Sequence, residues 1–81
     1  MTDYPARTPQ QLGAILRGCR REKGLTQHAV GSTAGLLQGA ISQIESNPGS
    51  ASLARIYRIL SVLDLELIVR PRPTTAPKGE W

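Results

Sequence analysis

Five residues near the middle of the chain, Gln38, Gly39, Ala40, Ser42 and Gln43, combine hydrogen-bonding groups with very small side chains at helical spacing. A glutamine amide sets a donor beside an acceptor, the complement of the N6 and N7 edge of adenine, and a serine hydroxyl can donate or accept at several bases. Gly39 brings no side chain and so permits close approach of its backbone. This is chemistry of recognition rather than of turnover. Groups that could make or break bonds are scarce: one cysteine (Cys19), one histidine (His28) and six scattered carboxylates offer no nucleophile with a positioned base, so no catalytic residue is assigned. The same inventory leaves no metal-ligand cluster, and neither a metal nor another cofactor is expected. Cys19 reads as a small core hydrophobe.

The bulk numbers agree with a binding role. Eighty-one residues allow one domain and one modest core. Ten Lys plus Arg against six Asp plus Glu give a formal net charge of +4, which favours a polyanionic partner. No apolar run approaches the roughly 18 residues of a membrane-crossing helix, so no membrane partner is expected. The first residues lack the pattern of a secretory signal, and the lone cysteine fits a reducing cytoplasm.

Four helices are predicted to position these groups. Residues 1–7 carry no periodicity and read as a flexible arm. Thr8, Pro9 and Gln11 then match an N-cap, a first-turn proline and a capping-box glutamine, and Leu12, Ile15, Leu16 and Cys19 form an apolar stripe that stops at Gly24. Thr26 caps a second, short helix that ends at Gly35, with Ala29 and Val30 inward and Gln27 and His28 on its exposed first turn. A third helix over about 37–45 buries Ile41 and Ile44 and leaves Gln38, Gly39, Ser42 and Gln43 outside. Asn47, Pro48 and Gly49 make a turn, and Ser52 caps a fourth helix striped by Leu53, Ile56, Leu60 and Leu63.

From Asp64 the period changes to two: Leu65, Leu67 and Val69 alternate with Glu66, Ile68 and Arg70 until Pro71. A single strand has no ladder partner within its own chain, so its edge calls for a second copy, and a twofold dimer through Leu65, Leu67 and Val69 is the simplest solution. Residues 71–81 are rich in proline and read as a disordered tail ending in Trp81, a residue type favoured as an anchor in partner pockets. The expected class is mainly α: a helix-turn-helix domain over residues 8–63 with one dimerisation strand over 64–70.

Two short helices around a glycine turn place the outward residues of the second at base edges in the major groove. Arg17, His28, Ser50 and Ser52 are candidates for the flanking phosphates. Gln27, Gly35, Ile41, Ser42 and Glu45, at these spacings after Thr26, resemble the phage-repressor or XRE-type helix-turn-helix family. The resemblance implies four or five helices, Gln27 at a phosphate, Gln38 and Gln43 over bases, and Arg20 paired with Glu45 inside the fold. Adding the strand DLELIVRP and a tail ending in Glu80 and Trp81, the chain is similar to HipB-type antitoxins. That likeness implies a bacterial, cytoplasmic and nucleoid-associated homodimer that represses its own operon at a palindromic double-stranded operator. It also implies binding to a HipA-type serine/threonine kinase toxin, with Trp81 a candidate contact. A stand-alone phage-type repressor and a protein-interaction module without DNA binding are the alternatives. The sequence departs from the repressor pattern at Gly31, where alanine is usual, and at Leu37, where a capping Ser or Thr often begins the recognition helix.

Overall fold

The computed structural model describes residues 3–73, and its elements run α1 (Pro9–Glu22), α2 (Gln27–Ala34), α3 (Gln38–Ser46), a single 3-10 turn (Pro48–Ser50) and α4 (Leu53–Val62). Three of the four α-helices begin with a hydroxyl that satisfies an orphan amide of the first turn. Thr8 Oγ1 accepts from Gln11 N at 3.1 Å, Thr26 Oγ1 from Ala29 N at 3.0 Å and Ser52 Oγ from Arg55 N at 3.2 Å. The capping box at α1 is displaced by one residue: Gln11 Oε1 accepts from Arg7 N rather than from the amide of the capping Thr8. Arg7 is thereby tied to the first turn of the helix.

Helix ends are equally regular. Gly24 and Gly35 adopt the left-handed conformation, and the residue after each donates back to the last turn, Leu25 N to Arg20 O at 3.1 Å and Leu36 N to Gly31 O at 2.8 Å. Asp64 ends α4 in the same way at φ 55, with Leu65 N on Leu60 O at 2.8 Å, although it has a side chain.

The core gathers Leu16 and Cys19 from α1, Val30 from α2, Ile41 and Ile44 from α3, and Ile56, Ile59, Leu60 and Leu63 from α4 and its end. Leu53, expected in the α4 stripe, is exposed, because the buried i, i+3, i+4, i+7 series starts a turn later at Ile56 and runs through Ile59. Ala29 is half-buried rather than fully inward. α3 packs against both α1 and α2, and α4 packs on α2. The approach of α1 to α3 depends on Gly13, where a Cβ would collide with the Glu45 carbonyl oxygen and stand 3.1 Å from Pro48 Cγ. Gly31 is similarly required, since a Cβ there would lie 2.5 Å from Leu36 O.

One ion pair lies inside this packing. Arg20 Nε donates to Glu45 Oε2 at 2.6 Å and Nη2 to Oε1 at 3.1 Å, with both side chains almost wholly buried. Arg20 Nη1 donates to Leu25 O at 2.9 Å, which secures the turn into α2.

Beyond α4 the chain from Leu65 onward forms no ladder among the described residues; its alternating apolar side chains are half-buried at Leu65, half-exposed at Leu67 and 92% exposed at Val69. Two solvent-exposed ion pairs connect the ends, Arg70 to Asp3 at 3.3 Å and Lys23 to Asp64 at 3.5 Å. The expectations placed on residues 74–81, Trp81 included, lie outside the described residues.

Two predictions follow from this packing. Gly13→Ala should destabilise by about 1–3 kcal/mol through overpacking, whereas Gly18→Ala, where a Cβ meets nothing within 4 Å, should stabilise by about 0.5–1 kcal/mol. Urea unfolding of the two variants side by side checks the contrast. Glu45→Ala should cost about 3–5 kcal/mol by leaving a buried guanidinium uncompensated. Glu45→Gln, which keeps one acceptor, should lose less; a near-wild-type Tm for the alanine variant would contradict a structural role for the pair.

Candidate nucleic-acid interface

The α2–turn–α3 unit presents its second helix with one side sealed and the other free. Ile41, Ile44 and Glu45 are buried, so the intervening positions turn outward by helical geometry. Gln38, Gly39 and Gln43 are exposed, and Ala40 and Ser42 are half-buried at the margin. The structure thus gathers all five sequence candidates for base contact on one side of one helix. Neither glutamine amide has a hydrogen-bond partner among the described residues, which leaves both donor and acceptor available.

The residues expected at phosphates have different degrees of freedom. Gln27 was expected on an exposed first turn, but it is half-buried and its Nε2 donates to Glu45 Oε1 at 3.3 Å. An amide nitrogen carries two hydrogens, so one remains for an anion while the other keeps the side chain aimed. Its neighbour His28 is exposed at the second position of α2. Ser52 Oγ accepts the Arg55 amide, so its hydroxyl hydrogen is free to donate outward. Ser50 differs: its hydroxyl is already spent on Asn47 O at 2.9 Å and would have to rotate away to meet a phosphate. Arg17 is exposed on α1, one turn from both Gly13 and Arg20, on the side of that helix nearest α3.

Sequence reasoning missed the Gln27–Glu45 contact, which ties a candidate phosphate ligand to the buried ion pair. No local signal announces it, because the two residues are 18 positions apart. Leu37, which the sequence marks as a departure from a capping Ser or Thr, is 82% exposed at the N-cap of α3.

The remaining reactive group is ill suited to covalent chemistry. Burial pushes the Cys19 thiol above its ordinary pKa, the Glu22 carboxylate adds to that, and Lys23 opposes it. Tyr4 lines a shallow groove with Ala14, Ile15, Gly18, Cys19 and Glu22, and the nearby Glu22 carboxylate raises its phenol as well. Among the described residues no three His, Cys, Asp or Glu side chains converge as metal ligands. No helix there is long and apolar enough to cross a membrane.

Comparison with known proteins places this geometry in a family. Residues 16–69 match the family model described as helix-turn-helix. The chain is 30% identical over 72 residues to the antitoxin HipB of Escherichia coli O6:H1, covering 89% of this chain and 77% of that protein. Its fold superposes with a TM-score of 0.82 on a HipB variant in complex with an O2 20mer, at 27% identity over 86% of this chain and 97% of that one. A second solved structure, a HipA–HipB–O2–O3 complex, matches with a TM-score of 0.79 at 28% identity over 83% of this chain and 94% of that one. With an exposed polar face on α3, a fold seated on a buried Arg–Glu pair and a match across most of its length, the chain belongs to the helix-turn-helix family and, within it, to the HipB-type antitoxins.

Proposed function

We propose that two copies of this chain bind a palindromic operator in double-stranded DNA, repress their own operon and hold a HipA-type serine/threonine kinase toxin in check. The observation that carries the proposal is the outer side of α3, where Gln38, Gly39, Ala40, Ser42 and Gln43 stand together with both glutamine amides unengaged. In the major groove each amide can pair bidentately with adenine. Gln27 and His28, on the first turn of α2, meet a phosphate with the help of that helix's free amides, and Ser52 and Arg17 supply further backbone contacts. Ser50 joins them only after giving up its turn contact. The basic balance of the chain, +4 overall, draws it to the duplex before any base is read.

Dimerisation through residues 64–70 sets the two α3 helices about one duplex turn apart, roughly 34 Å. The exposure of Leu67 and Val69 supports it, because antiparallel pairing of two copies would cover both, with Leu65 already seated against the core. Trp81 is the residue we assign to the toxin. The structural similarity to the HipA–HipB–O2–O3 complex supports both partners. The protein acts by binding, not by turnover, and works in the bacterial cytoplasm at the nucleoid.

Fluorescence anisotropy with DNA from the protein's own promoter tests the DNA half. Gln38→Ala and Gln43→Ala should each weaken specific binding by about 1–3 kcal/mol with an unchanged Tm; unaltered affinity in the double variant would refute base reading by α3. If about six phosphates are neutralised, log Kd against log salt should change with a slope near 5 in magnitude. A flat salt dependence would remove DNA from the proposal.

A further inference from the structure

The first turn of α3 is built against its own stability. Every other α-helix of the fold opens with a hydroxyl that caps an amide, but Leu37 holds the extended N-cap backbone of α3, φ −72 and ψ 151, with no side-chain cap. A leucine is among the poorest residues at that position. Its side chain gains nothing in return from packing, since it is 82% exposed. Two residues on, Gly39 weakens the helix again, and the fold does not require it: an added Cβ would meet nothing within 4 Å. Folding therefore accounts for neither residue, although it accounts for Gly13, Gly24, Gly31 and Gly35.

Both lie at the end of α3 that bears Gln38, beside the outward glutamines. The major groove offers an apolar side chain one distinctive partner, the C5-methyl of thymine. Resting on the DNA-binding role proposed above, we infer that Leu37 packs on a thymine methyl of the operator, and that Gly39 leaves the space that lets this turn approach the base edge. Burial on the methyl gives the exposed leucine the desolvation it lacks in the free protein. Leu37 is thus a specificity-determining residue of apolar kind beside hydrogen-bonding neighbours, and an A·T pair next to those read by the glutamines is selected by shape and apolarity.

The test uses the full chain and duplexes enriched from a randomised DNA library, with wild type, Leu37→Ser and Leu37→Ala selected in parallel. Wild type should enrich a motif with one thymine that both variants cease to prefer while the remaining positions persist. Replacing that thymine by deoxyuridine, which deletes only the methyl, should weaken wild type about fourfold, the worth of one buried methyl, and leave Leu37→Ser unaffected. The Tm of Leu37→Ser should be equal or higher, because serine restores a cap, so a loss of preference cannot be assigned to unfolding. Identical motifs and equal affinity for uracil and thymine would overturn the inference while leaving DNA binding intact. A changed oligomeric state in Leu37→Ser with the motif retained would also overturn it and assign the leucine to contact between copies. Enrichment of no motif by wild type would remove the DNA-binding role itself, and the inference with it.

Discussion

The buried carboxylate of Glu45 is the point on which the arrangement of helices turns. It accepts two hydrogen bonds from the Arg20 guanidinium and a third from Gln27, while the same guanidinium donates to the Leu25 carbonyl. One ionised group on α3 thereby fixes α1, the α1–α2 turn and the first residue of α2. Charges are costly to take out of water, and the cost is offset only where every donor and acceptor is matched. Here none of the buried side-chain polar atoms among the described residues lacks a partner. The need for such a fastening follows from the rest of α3: nine residues long and uncapped at its start, it would not hold its orientation by local preference. Ile41, Ile44 and Glu45 hold it instead, and Gly13 lets α1 come near enough for the bidentate contact to form.

What could be read from the sequence is what is decided within a turn or two of chain. The caps at Thr8, Thr26 and Ser52, the left-handed stops at Gly24 and Gly35, and the outward set on α3 all depend on near neighbours, and periodicity or residue type reports them directly. The less legible features depend on distant ones. Gln27 looks like a solvated first-turn residue until α3 arrives beside it. Leu53 fits a helical stripe as well as Ile59 does, and only the placement of α2 against α4 decides which is covered. The displaced partner of Gln11 reflects the path of the arm, which no propensity encodes. Gly31 stands out in sequence as a departure from alanine, but its reason, the closeness of the Leu36 carbonyl, is a three-dimensional fact.

The segment after α4 is an intermediate case. Its alternation of Leu65, Leu67 and Val69 is plain, yet hydrogen bonds of a strand come from a neighbour, and alternation alone does not name the neighbour. The chain does set the direction of the segment, through the Asp64 turn and the contacts of Lys23 with Asp64 and of Arg70 with Asp3. Those pairs are exposed and individually weak, so they guide the backbone more than they stabilise it.

The partition of α3 into an inner side that fastens and an outer side that touches nothing else has a consequence for descent. Substitutions at Gln38, Gly39 or Gln43 encounter no internal contact, so drift there leaves the scaffold alone, while Ile41, Ile44 and Glu45 are held by the fold whatever the target. After a gene duplication, two such repressors could come to serve separate promoters by changing a handful of outward positions, without either passing through an unfolded ancestor. Regulatory circuits built from this scaffold can in this way multiply and become insulated from one another while their architecture stays constant.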